Sequence, residues 1–143
     1  PGADALLMAA AVADFTPAQV ADQKIKKEAG SDNGFTLKLA RTADILAEVK
    51  QARQTGGFPR VVVGFAAESE NLLENARAKL ERKGLDLLVA NDITAAGAGF
   101  AVDTNRVTIL AADGSQQSLD LMSKARVAEA IIARAAALLG QRK

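Results

Sequence analysis

Arg60 to Asp92 reads "RVVVGFAAESENLLENARAKLERKGLDLLVAND", and this stretch decides the fold. "RVVVGFAA", Arg60 to Ala67, is the most β-branched run in the chain, as expected of a strand in the middle of a sheet. The period then changes. Leu72, Leu73, Ala76 and Leu80 recur at helical spacing, Ser69 suits the N-cap, and Gly84 suits the C′ position. "DLLVAND" is a second buried strand. Strand, helix and strand in so short a span argue for a parallel sheet.

The same alternation extends in both directions. Upstream, Ala5 to Val12 is continuous and apolar, a strand covered on both faces. Asp14 to Gly34 is polar, with Pro17 and two glycines, and reads as a long loop or flap. "FTLKL", Phe35 to Leu39, alternates like a strand with one exposed face. "TADILAEVKQARQ" has helical spacing at Ile45, Val49 and Ala52, with Thr42 as N-cap, and "TGGFP" ends it. Downstream, "GFAVDTNRVTILAADG" reads as two strands around an Asp103-Thr104-Asn105 turn. Ser123 caps an Ala-rich helix through Leu139 that Gly140 closes. The expectation is one α/β domain over residues 1–143, with a mostly parallel sheet flanked by helices, a C-terminal β-hairpin and a terminal helix. In such sheets ligands bind beyond the carboxyl ends of the strands. Three edges qualify: Ala13-Asp14-Phe15, Phe65 to Glu68, and Asn91-Asp92.

Composition narrows the chemistry. The chain has 143 residues, 49% hydrophobic and 24% charged, with net charge +1. That balance gives no field calling for nucleic acid or an anionic membrane. With five Phe and no Tyr or Trp, there is no base-stacking platform, and the core is aliphatic. The absence of Cys and His excludes disulfides, thiolate chemistry, imidazole bases and His-ligated zinc within these residues. A metal would sit on oxygen ligands, favouring magnesium or calcium. No apolar run reaches a membrane span, and no signal peptide opens the chain. A cytoplasmic protein is the simplest reading. The chain opens at Pro1 without Met and enters an apolar strand at once, like a piece of something longer.

Basic residues come in two bursts: Lys24, Lys26 and Lys27 in the loop, and Arg77, Lys79, Arg82 and Lys83 on the helix. Each has two readings. Lys79 and Lys83, four apart, share a face, and like charges there cost a few tenths of a kcal/mol. They either face water, favoured by the helix C-terminus, or converge on a polyanion. The "KIKK" run is either solvated or a basic flap that closes on a phosphate. Asp14 and Asp92, each read as standing past an apolar strand, are strand-terminal turn residues, helix caps or a magnesium-holding pair. "GAGFAV", Gly97 to Val102, precedes a strand and not a helix, so it is a poor dinucleotide fingerprint.

Taken together, "AAAVADF", "KIKK", "TADIL", "VVGFAAE" and "NARAKLERKGLDLLVAND" arrive in the order of the phosphopantothenoylcysteine synthetase domain, which this chain resembles from about Ala5 to Phe100. The resemblance implies a Rossmann-like fold and a ligase of coenzyme A biosynthesis. It implies CTP and Mg2+, and amide formation between 4′-phosphopantothenate and cysteine through an acyl-cytidylate. It assigns Lys24 as the catalytic lysine and Asp14 as a nucleotide and metal contact. It gives nucleotide contacts to Ala10, Lys24, Thr42, Ala43, Asp44, Ile45, Phe65, Lys79 and Lys83, and matches Asn91 and Asp92 as additional candidates. It also implies a homodimer and a decarboxylase domain upstream. The family's first strand, phosphate-binding turn and "N-x-x-S-S-G" segment do not precede Ala5, so the segment alone is expected to be weakly active or inactive. Two other readings stand beside it: a non-catalytic nucleotide- or phosphate-binding module, and an interaction domain that dimerises through its hairpin.

Overall fold

The computed structural model describes residues 2–26, 34–68, 71–92 and 102–142. They divide into two compact units, one of residues 1–9 and 46–143, the other of residues 10–45.

The larger unit is built on a five-stranded sheet in the order β1-β4-β5-β6-β7. Its strands are β1 (Ala5–Met8), β4 (Val61–Glu68), β5 (Leu87–Asp92), β6 (Thr104–Ala111) and β7 (Gln116–Ser123). β1, β4 and β5 run parallel, and β6 and β7 continue the sheet antiparallel. The expected strand–helix–strand unit is present, with α2 (Leu72–Lys83) between β4 and β5. Alternation along β4 and β5 splits the core in two. Val61, Val63, Leu87 and Val89 face α3 (Lys124–Gln141) through Val127, Ile131 and Ala135. Val62, Ala66, Leu88 and Ala90 face α2 through Ala76 and Leu80, with Leu46 and Val49 of α1 (Ile45–Gly56) alongside. Both faces of the parallel strands are thus covered, which explains their uninterrupted apolar runs.

Two glycines have specific reasons. Gly64 interrupts the β-branched run because a Cβ there would lie 2.5 Å from Leu85 Cδ1. Gly84 ends α2 in the left-handed region, φ 61°, where its N–H and that of Leu85 bond back to Glu81 and Leu80 carbonyls.

Several boundaries differ from expectation. β1 stops at Met8, four residues before Val12, where the Ala9 N–H donates back to the Leu7 carbonyl at 3.1 Å and turns the chain. Asn71 occupies the N-cap position of α2, without a side-chain cap bond; Ser69 lies outside the described residues. The hairpin does not turn at Asp103-Thr104-Asn105, because Thr104 and Asn105 open β6. It turns at Asp113-Gly114, where Gly114 takes φ 85° and the Asp113 carboxylate accepts from the Ser115 amide at 2.8 Å. Hydrogen bonds from the Ser115 hydroxyl and amide hold the Asp113 carboxyl below the usual carboxylate range. An Asp-Gly pair is the stronger hairpin signal because its glycine supplies φ > 0. Ser123 caps α3, accepting from the Arg126 amide, and the helix runs through Gly140 to Gln141.

The smaller unit contains a two-stranded antiparallel ribbon, β2 (Phe15–Pro17) with β3 (Leu39–Arg41). β3 therefore starts where the expected Phe35–Leu39 strand ends. The alternation of Phe35, Leu37 and Leu39 meets no buried face, since all three are exposed; β2 sets the pairing instead. Of the unit's described residues only Thr42 is half-buried, and the rest are exposed. Residues 27–33 of the expected flap, Lys27 among them, lie outside the described residues, as does most of "GAGFAV".

Candidate functional site

The carboxyl ends of β4 and β5 stand side by side, with Ala67 paired to Asn91 and Glu68 to Asp92. Two of the expected edges are therefore one edge. Phe65 lies on the α3 side of β4, half-buried against the core. Its carbonyl accepts from Lys79 Nζ at 2.9 Å. α2 thus aims Lys79 back at the carboxyl half of β4, with its ammonium partly buried. Lys83, one turn further on, is half-buried. Both helix lysines bury part of their stems. Asn91, also half-buried, carries an enclosed Oδ1 with no hydrogen-bond donor among the described residues. A buried oxygen in that state costs about 1–3 kcal/mol.

An apolar cavity of about 330 Å³ lies on the α3 side of these strand ends. Its walls include Leu7, Phe65, Asn105, Lys124, Val127 and Ile131. Phe65 is the one residue it shares with the candidate nucleotide contacts. Asn105 and Lys124 are its polar members; the sequence offers Asn105 only as a turn residue and gives Lys124 no role.

The third expected edge is not a strand end of the main sheet. Asp14 follows β1 by six residues and immediately precedes β2. It belongs to the smaller unit, with Ala10, Lys24, Thr42, Ala43, Asp44 and Ile45, whereas Phe65, Lys79, Lys83, Asn91 and Asp92 belong to the larger. Ala10, Asp14 and Lys24 are exposed. Thr42 meets the Asp14 turn directly: its N–H donates to the Asp14 carbonyl at 3.0 Å and its hydroxyl to the Ala13 carbonyl at 2.6 Å. The expected N-cap role for Thr42 is thereby corrected. α1 begins three residues later, at Ile45, and the hydroxyl's single proton is used on Ala13.

Among the described residues no group of three acidic side chains could hold a metal. One exposed carboxylate, Asp14, does suit an ion held mainly by phosphate oxygens and water. No helix among the described residues is long and apolar enough to cross a membrane.

Residues 1–139 match the family model of the DNA/pantothenate metabolism flavoprotein C-terminal domain. The coenzyme A biosynthesis bifunctional protein CoaBC of Bacillus subtilis is 48% identical over 138 residues, covering 96% of this chain and 32% of that protein. The protein of the same name from Mycobacterium tuberculosis is 49% identical over 138 residues, covering 92% and 32%. A crystal structure of the C-terminal domain of a CoaBC protein superposes with a TM-score of 0.69 at 30% identity, over 96% of this chain and 56% of that one. The chain spans about a third of the length of the curated relatives it matches.

Proposed function

Because the chain belongs to the family of DNA/pantothenate metabolism flavoprotein C-terminal domains, we propose that it is the synthetase part of a coenzyme A biosynthesis ligase. In this reading it joins 4′-phosphopantothenate to cysteine at the expense of CTP. The observation that carries the reading is the 2.9 Å bond from Lys79 to the carbonyl of Phe65. The Lys79 ammonium reaches the backbone of Phe65, three residues short of the end of β4, and ligands of parallel sheets bind beyond that end.

The reaction has two displacements. The substrate carboxylate attacks the α-phosphorus of CTP, forming an acyl-cytidylate and releasing pyrophosphate. The cysteine amine, after losing a proton, attacks the acyl carbon; the amide forms and CMP leaves. Neither displacement needs a thiol or imidazole of the protein, in keeping with a chain that has no Cys or His. The work is clamping, orientation and charge stabilisation. Lys79 and Lys83 are proposed to bind the triphosphate and Phe65 the nucleoside. Asp14 would contact the nucleotide and a magnesium ion, which would neutralise phosphate charge when bound. Lys24 is proposed to stabilise charge on the phosphate or acyl-cytidylate.

The test is an assay of the full-length protein with CTP, magnesium, 4′-phosphopantothenate and cysteine. Pyrophosphate and CMP are expected in equal amounts. Tight CTP binding without pyrophosphate would favour the non-catalytic binding module.

A double substitution probes the helix lysines. Lys79→Ala with Lys83→Ala is expected to weaken CTP binding about tenfold to a hundredfold, measured by calorimetric titration. Stability should fall by about 1–2 kcal/mol in a denaturant melt, from loss of the Phe65 bond and of the interaction that Lys83 makes. Relief of the like-charge pair offsets part of that loss. Unchanged CTP affinity would return both lysines to a structural role.

A further inference from the structure

We propose that Thr42 is a positioning residue that holds Asp14 in place for the nucleotide and does not meet the ligand with its own hydroxyl. This rests on the reading of Asp14 as a nucleotide contact. The ribbon pairs Phe15 with Arg41, Thr16 with Ala40 and Pro17 with Leu39. One bond extends the ladder at each end: the Ala18 N–H donates to the Lys38 carbonyl at 2.9 Å, and the Thr42 N–H to the Asp14 carbonyl at 3.0 Å. Asp14 is therefore the terminal rung. Just beyond it, the Thr42 hydroxyl donates to the Ala13 carbonyl at 2.6 Å. Two donors of one residue grip two consecutive carbonyls, and the second grip fixes the backbone on the far side of Asp14.

Little else holds this end. A two-stranded ribbon is marginal in water, Pro17 contributes no N–H to it, and every described residue of the unit except Thr42 is exposed. Thr42 is β-branched and stiff about χ1, so its hydroxyl loses little freedom in making the bond. Its one proton is committed to Ala13, so it cannot also donate to a phosphate. The structure thus separates two residues that the family resemblance places in one contact set: Asp14 presents the carboxylate, and Thr42 sets where it stands.

The test uses Thr42→Val, which keeps the shape and loses the donor, and Thr42→Ser, which restores it. Amide hydrogen exchange at position 42 should quicken about three- to tenfold in the valine variant and stay near wild type in the serine variant. CTP titrated with magnesium into the full-length protein should bind about three- to tenfold more weakly to Thr42→Val, with recovery in Thr42→Ser. Combined with Asp14→Asn, Thr42→Val should add nothing to the loss caused by Asp14→Asn alone. Additive losses, or unchanged exchange at position 42, would overturn the proposal. A normal loss in Asp14→Asn with none in Thr42→Val overturns the proposal alone. CTP binding untouched by Asp14→Asn removes the reading of Asp14, and the proposal with it.

Discussion

Replacing Lys24 by alanine is expected to lower the turnover of the full-length protein by about a hundred- to a thousandfold while leaving its fold unchanged. The size is that of removing one preorganised donor from a site where negative charge develops. The structural half of the expectation follows from where Lys24 stands. The last bond of the ribbon joins Ala18 to Lys38, six residues before Lys24. The Lys24 side chain is exposed, and it makes no hydrogen bond or ion pair among the described residues. Deleting its ammonium therefore leaves no buried partner unsatisfied among the described residues, and the melting temperature should move by no more than an ordinary surface change. Exposure is also what makes the chemistry testable, because a lysine with no partner among the described residues has little but ligand to lose. The loss should fall on kcat more than on KM for CTP if the charge serves the acyl-cytidylate step. Near-normal turnover in Lys24→Ala would reject the catalytic role. A loss confined to the KM for CTP would reduce Lys24 to a binding contact.

The parts of this fold that could be read in advance are those that repeat a local rule. β4, α2 and β5 are legible because β-branched residues, a 3.6-residue apolar stripe and a left-handed glycine all agree over one short span. Gly84 and Ser123 are legible because caps act within a turn of themselves. The failures come where the deciding partner is remote. "FTLKL" alternates correctly, yet its pairing depends on Phe15 to Pro17, which lie in a stretch that reads as loop. Thr42 has the chemistry of a cap, but a carbonyl 29 residues away takes its hydroxyl. Family motifs, in turn, pick out Lys79 and Phe65 without saying that they touch. That contact appears only once α2 is folded back over β4.

The largest stability effect is expected at a residue with no place in the candidate site. Asp86, 5% exposed, lies just before β5, at the end of the sheet opposite the candidate site. Its carboxylate accepts from the buried Val62 N–H at 2.7 Å, from Arg53 at 2.9 Å and from Arg142 at 2.7 Å. Arg53 also donates to the carbonyls of Gly84 and Arg60, and Arg60 bonds Asp4 at the foot of β1. One buried charge thus ties together α1, the starts of β4 and β5, and the residue that follows α3. Removing one member of such a buried set costs about 3–5 kcal/mol, because the remaining charges and the Val62 N–H lose a partner that water cannot fully replace. Asp86→Ala should therefore lower the melting temperature by about 10–20 °C. Asp86→Asn, which can still accept from Val62 but not pair with the arginines, should fall between. Arg142→Ala should cost least, since its side chain is 39% exposed against 22% for Arg53, and a more solvated pair is worth less. Thermal melts of Asp86→Ala, Arg53→Ala and Arg142→Ala should rank in that descending order of damage. An Asp86→Ala protein that melts within a few degrees of wild type would mean that the network only decorates a fold held by its two apolar layers.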